Sequence, residues 1–201
     1  MALAGYKALV KEQSSATTFT DEATTTADDT TYQITSTSKR IWDFDTALVV
    51  EDDGSTTTET YTFNKLDGTV TFESSDSERV ITVTGKYVAL TTVVEAKAFS
   101  FDGTCDMLDK TVFQDEAREY AAGLLSAQIT IGKFFSVDEY YVDMWDNKTI
   151  KVVEFYADSD DTDGVFRVFA RVSGDNVSSS IEGLVEEGIT LQCTNKMIAE
   201  A

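Results

Sequence analysis

The chain has 201 residues, with 36 acidic against 16 basic side chains, a formal charge of −20, and neither histidine nor proline. Without imidazole, histidine-based triads and most zinc sites are excluded, and so acidic a surface repels nucleic acid, whose affinity depends on Lys and Arg at phosphates. A hydrophobic share of 42% and an aromatic share of 11% argue against general disorder and suffice for one domain with a substantial core.

The first strand signal is Tyr6 to Lys11. Residues 14–31 follow as a Thr-rich polar stretch whose one large apolar residue before Thr31 is Phe19. This stretch reads as an extended N-terminal arm that becomes ordered against a partner. Strand character returns at Tyr32 and Ile34 and again at Ile41-Trp42. Strands around Ala47 to Val50 and Glu59 to Lys65 flank a polar run of Glu51, Asp52, Asp53, Gly54, Ser55, Thr56, Thr57 and Thr58. That run reads as the tip of a long hairpin, where contacts to other molecules concentrate.

Leu66-Asp67-Gly68 carries turn chemistry and leads into a strand with Val70 and Phe72 on one face. Arg79 to Val88 alternates Ile81 and Val83 against Thr82 and Thr84, and Val93 to Phe101 continues the pattern. Such strands cover something on one side only. From Gln114 to Gln128, Ala117, Tyr120, Ala121, Leu124 and Leu125 fall at helical spacing, interrupted by Gly123, which predicts a short helix or turn. Ser136 and Glu139 form a capping box ahead of a stripe of Tyr140, Tyr141, Met144 and Trp145, which predicts a helix over 137–147. Strands are expected over Ile150 to Ala157, Val165 to Ser173 and Glu186 to Thr194, with 195–201 fraying.

The start, Met1 to Lys7, lacks the charged and long apolar regions of a secretory signal. No stretch approaches ~18 consecutive apolar residues, so no membrane segment is expected. Cys105 and Cys193 have no metal-type spacing and read as free thiols. Average proline usage of about 5% would place about ten in this chain. Proline is one of the residues that block sheet edges, so its absence reads either as compositional drift or as strands meant to meet neighbouring subunits.

No catalytic constellation stands out. With 36 acids, some carboxylate pair always looks plausible, so a pair alone does not indicate glycoside hydrolysis. The cluster Asp158 to Gly164 resembles half of a calcium loop, but with Gly164 at the sixth place the twelfth is Ala170, where a bidentate Glu is required. It reads as a solvated turn. Phosphate-binding glycine loops of the common spacings are missing, and Lys39-Arg40 is the only adjacent basic pair. The sequence therefore predicts no enzyme, no cofactor and no metal site.

Taken in order, several segments resemble the major tail, or tail tube, protein of long-tailed bacteriophages. They are Gly5-Tyr6, Ile34 with Lys39-Arg40, Leu66-Asp67-Gly68-Thr69-Val70-Thr71-Phe72, Val83-Thr84-Gly85-Lys86-Tyr87 and Phe99-Ser100-Phe101. Asp109 to Phe113, Gly123-Leu124, Ile129 to Phe134 and Gly183 to Ile189 complete the set. The resemblance implies a mainly β fold: an antiparallel sandwich or barrel-like domain over 1–201, one flanking helix, an arm at 14–31 and an inter-ring loop at 51–58. It further implies hexameric rings stacked into a hollow, acid-lined conduit for genome passage. The strands Glu59 to Phe72 and Arg79 to Phe101 would form the lumen, with Glu59, Glu73 and Glu95 as candidate lumen acids. Partners would be further copies of the chain and the tail-tip, tape-measure and tail-terminator proteins. Double-stranded DNA would pass without specific binding. The protein would be assembled in the bacterial host cytoplasm and reside in the virion tail. The alternatives are another self-assembling virion β protein, such as a decoration or tail-terminator subunit, and a cell-surface β-sandwich binding module.

Overall fold

The computed structural model describes residues 8–93, 96–112, 117–135, 140–157, 165–179 and 183–200, with the backbone alone over 195–200. The elements in chain order are β1 (Leu9–Thr26), β2 (Thr31–Ile34), a 3-10 turn (Thr37–Lys39), β3 (Val49–Asp52), β4 (Ser55–Thr56), β5 (Tyr61–Asn64), β6 (Thr69–Phe72) and β7 (Ile81–Thr92). Then come β8 (Ala96–Asp109), β9 (Tyr120–Phe134), α1 (Tyr140–Asn147), β10 (Lys151–Tyr156), β11 (Val165–Ser178) and β12 (Glu186–Glu200). The fold is mainly β and antiparallel, with one short helix among the described residues. The chain divides into two compact units: Met1–Val94 with Ile150–Phe169 and Asn195–Ala201, and Glu95–Thr149 with Ala170–Thr194.

In the first unit the strands run β4-β3-β7-β1-β10, and the far end of β1 also pairs with β2, which continues through β6 to β5. Phe19, Val50, Ile81 and Val83 from the larger set meet Tyr32, Ile34, Val70 and Phe72 from the smaller one, with Trp42 among them. This is sandwich packing, each strand giving alternate residues to the core. Trp42 is fully buried, and its indole N–H donates to the Lys39 carbonyl at 3.0 Å.

The expected arm is a correction. Residues 14–26 belong to β1, an 18-residue strand paired with β7 from Lys11↔Thr92 to Ala23↔Thr82. Ladder hydrogen bonds join backbones and do not require apolar side chains, so a Thr- and Ser-rich run pairs well once one face is solvated. Phe19 alone anchors it, buried opposite Gly85. A side chain at Gly85 would strike Leu48 at 2.6 Å, so glycine there makes room for the Leu48 and Phe19 side chains. Bulges between Gln13 and Ala16 and between Phe19 and Glu22 put extra β1 residues against β7. Near the first, buried Gln13 accepts a hydrogen bond from the Val152 N–H at 3.1 Å.

The long polar loop is also corrected. Glu51 pairs with Thr56 and Asp52 with Ser55, leaving a two-residue turn at Asp53-Gly54 with φ of 48° and 74°. That is the primed hairpin turn favoured by Asp-Gly, so the tip is tight rather than long. Thr57 follows with its N–H bonded to the Val50 carbonyl at 3.0 Å. The turn at Leu66-Asp67-Gly68 forms as expected between β5 and β6, with Gly68 at φ 65°.

In the second unit the order is β11-β12-β9-β8. The helix or turn expected over 114–128 is a strand from Tyr120 onward. Residues 113–116 lie outside the described set, as do the capping box at 136–139, the acidic turn at 158–164 and the strand start at Tyr6. The helix over 137–147 is described from Tyr140 to Asn147; Tyr141 and Met144 are buried, but Trp145 is exposed. The segment 195–200, expected to fray, continues β12.

Candidate assembly surfaces and charge layout

Several basic side chains are held by the chain's own oxygens. Lys39 meets Glu22 at 2.5 Å, Lys110 meets Glu119 at 2.9 Å, and Arg167 meets Glu154 while donating to the Leu66 carbonyl at 2.8 Å. Lys97 pairs with Glu186, and Lys11 donates to the Tyr156 hydroxyl at 2.9 Å. Arg40 donates to the Ile34 carbonyl at 3.0 Å. Lys65 donates to the carbonyls of Asp43, Phe44 and Thr46 at 3.1, 2.7 and 2.6 Å, and burial lowers its pKa from the ordinary lysine value.

Arg79 clamps the β3–β4 hairpin. Its guanidinium lies 4.3 Å from the Phe72 ring centroid, meets Glu59 at 2.5 Å and approaches Asp52 at 3.6 Å. Of the loop residues expected to reach neighbours, Glu51, Asp52, Ser55 and Thr56 are strand-paired, whereas Asp53 and Gly54 form the exposed tip. The candidate acids divide. Glu59 is ion-paired with Arg79, Glu73 is exposed after β6, and Glu95 lies outside the described residues. The register of β5 on β6 puts Glu59 and Glu73 at the same open end of that hairpin.

At the β1–β2 connection, Asp28 accepts backbone N–H bonds from Thr30 at 3.0 Å and Thr31 at 2.7 Å. The Thr31 bond is the larger cause, and together they hold the Asp28 carboxyl down at about 2.

The second unit carries a feature that the sequence reading missed. The pairs Ile131↔Ile189 and Ile129↔Leu191 join β9 to β12 with all four side chains buried. Lys133↔Glu187 follows in the same register and on the same face, with an ion pair at 3.3 Å. The Lys133 ammonium also lies 5.1 Å from the Tyr141 ring centroid. In the other direction this face runs on through Ala127 to Leu125, which is 83% exposed. Its β8 partners are Phe101 opposite Ile129, Gly103 opposite Ala127 and Cys105 opposite Leu125. Past a bulge, Met107 lies opposite Ala122 and is 60% exposed. The reverse face carries Asp102, Thr104 and Asp106 against Gln128 and Ser126, and farther along Leu108, which is 59% exposed. A side chain at Gly123 would meet Asp106 at 3.0 Å and Leu108 at 3.4 Å, which sets Gly123 on that reverse side.

The signal for this ribbon lay in the sequence. Phe99, Phe101, Cys105 and Met107 alternate with Ser100, Asp102, Thr104 and Asp106, and Leu125 to Ile131 alternates as strictly. Helical spacing of the leucines and alanines just upstream obscured it.

No family model matches the sequence, and no curated protein does either. Among solved structures, the chain is similar to one described as the tail of an empty gene transfer agent particle with six-fold symmetry. The identity is 14%, the TM-score 0.49, and the match covers 56% of this chain and 87% of the other. A structure of the native gene transfer agent virion is similar at 12% identity and a TM-score of 0.48, covering 56% and 88%. Neither likeness assigns the chain to a family.

Proposed function

We propose that this chain is a non-catalytic structural subunit of a phage-type tail tube, in which hexameric rings stack into a hollow, acid-lined conduit. Its partners are further copies and the tail-tip, tape-measure and tail-terminator proteins. The observation that carries this reading is the engagement of Lys39, Lys65, Arg79, Lys97, Lys110 and Arg167 with the chain's own carboxylates and carbonyls. A formal charge of −20 is thereby left without a loose cationic patch to grip phosphate among these groups.

A genome conduit must let DNA pass without holding it. Carboxylates repel phosphate within a Debye length of about 8 Å at physiological salt, so the effect is confined to the wall. The same charge sets copies of the chain against one another. Assembly therefore rests on sheet edges and apolar contact.

Electron microscopy of concentrated protein tests the reading. Hollow tubes or six-fold rings are expected, together with no retention of double-stranded DNA at physiological salt. A stable DNA complex that weakens steeply with salt would refute it.

A further inference from the structure

Lys65 follows β5 and precedes the buried Leu66. The Trp42 N–H donates to the Lys65 carbonyl at 2.7 Å, which draws the segment 43–46 alongside. Within that segment the Asp43 carboxylate accepts from the Thr46 N–H at 3.1 Å and from the Thr46 hydroxyl at 2.6 Å, closing a tight turn. The Asp43 N–H donates to the Lys86 carbonyl at 2.9 Å, and the Phe44 ring lies 5.1 Å from that of Phe169. The turn is thus anchored through both backbone and side chain. Curled in this way, the carbonyls of Asp43, Phe44 and Thr46 converge on one point. The Lys65 ammonium occupies it, at 3.1, 2.7 and 2.6 Å from the three oxygens.

An ammonium has three N–H donors and no acceptor, and three main-chain carbonyls stand within hydrogen-bond distance of this one. The contact differs from those of Lys39, Lys97, Lys110 and Lys133, each of which meets a carboxylate. The Asp43 carboxylate is close by, but Thr46 takes one of its oxygens and the Gln13 amide donates to the other at 3.4 Å. Converging main-chain carbonyls are the ligand set that replaces water around a monovalent cation in potassium pores. Calcium and magnesium are held chiefly through carboxylates, and here the carboxylate is engaged by the turn's own donors.

We propose that residues 43–46 form a binding loop for a small monovalent cation, and that the Lys65 ammonium is its built-in ligand. A tethered cation pays less in lost freedom than a free one, so the loop is ordered without drawing an ion from solution. A chain of formal charge −20 concentrates counterions around itself. With the loop already filled, its order does not depend on which of those ions are present. The inference does not rest on the tube-subunit reading.

The test compares thermal melts of the full chain as wild type, Lys65→Ala and Lys65→Met. The salts are ammonium, tetramethylammonium and magnesium chloride at matched ionic strength. Lys65→Ala vacates the loop, whereas Lys65→Met leaves an uncharged stem of similar length in it. In tetramethylammonium both variants are expected to melt about 5 °C or more below wild type, because the three carbonyls lose their donors. Ammonium is expected to restore at least about half of that loss in Lys65→Ala, with a saturating dependence on concentration. Lys65→Met and wild type are expected to melt alike in all three salts. Should Lys65→Ala fold in none of them, the wild type decides through nitrogen-15 NMR of its lysine ammonium groups. There the Lys65 protons are expected to exchange with water at least ~10-fold more slowly than those of the exposed Lys86 and Lys148. The proposal is overturned if Lys65→Ala is as stable as wild type, or if tetramethylammonium or magnesium stabilises it as much as ammonium does. It is also overturned if ammonium restores Lys65→Met equally, or if Lys65 exchanges as fast as Lys86.

Discussion

Lys133 and Glu187 sit directly opposite each other on β9 and β12, their charged atoms 3.3 Å apart and the residues only 2% and 4% exposed. The pair lies in line with Ile131 and Ile129 on the buried face, with Tyr141 over the ammonium. Truncating one partner takes the opposing charge away from the other in a buried site, which costs about 3–5 kcal/mol, whereas replacing both removes the desolvation penalty as well as the attraction. Lys133→Met is therefore expected to destabilise strongly, and Lys133→Met/Glu187→Met to recover most of the loss. Urea unfolding of both variants checks this; a double variant no more stable than the single one would contradict it.

Two turn glycines with the same backbone sign are expected to respond differently. Gly54 and Gly68 have φ of 74° and 65°, but a side chain at Gly54 meets nothing within 4 Å, while one at Gly68 lies 2.7 Å from the Arg40 backbone. Gly54→Ala is expected to cost about 1–2 kcal/mol, the ordinary left-handed penalty. Gly68→Ala adds a collision with backbone that cannot swing away, for a total of about 2–5 kcal/mol. Thermal melts of the two variants provide the comparison, and equal losses would contradict the contact.

The two free thiols should separate by reactivity. Cys105 is exposed on the β8–β9 ribbon, whereas burial pushes the Cys193 thiol up to about 11 from an ordinary 9.0. In the monomer at pH 8, a thiol reagent is expected to modify Cys105 rapidly and Cys193 only on unfolding. The sign follows from linkage. A raised folded-state pKa favours the neutral thiol, so its contribution to stability is complete below about 9 and is lost as pH rises through about 11. Mass spectrometry after timed alkylation measures both rates, and comparable rates at pH 8 would count against the burial of Cys193.

Some features were legible because they rest on neighbours in sequence. Alternation identified β6 and β7, Asp67-Gly68 marked a turn, and Tyr141 and Met144 lie on the helix where a stripe was expected. The Asp53-Gly54 tip carried its turn type in two residues, although the polar residues around it suggested a longer loop. The charge balance was likewise readable from composition. The placement of that charge was not: Arg79 meets Asp52 and Glu59, and Arg167 meets Glu154, through side chains brought together by folding.

The sequence by itself determined the β class, the turn chemistry and an acidic surface with no imidazole chemistry. Only tertiary structure decided that Ser14 to Thr26 is a strand, because its partners lie on β7 and β2 and backbone pairing leaves no mark in side-chain hydrophobicity. Tertiary structure likewise decided between helix and strand for Tyr120 to Gln128. Helical spacing of Ala121, Leu124 and Leu125 competed there with pairing to β8, and the sheet prevailed, setting Leu125 on an apolar face that the described chain leaves uncovered.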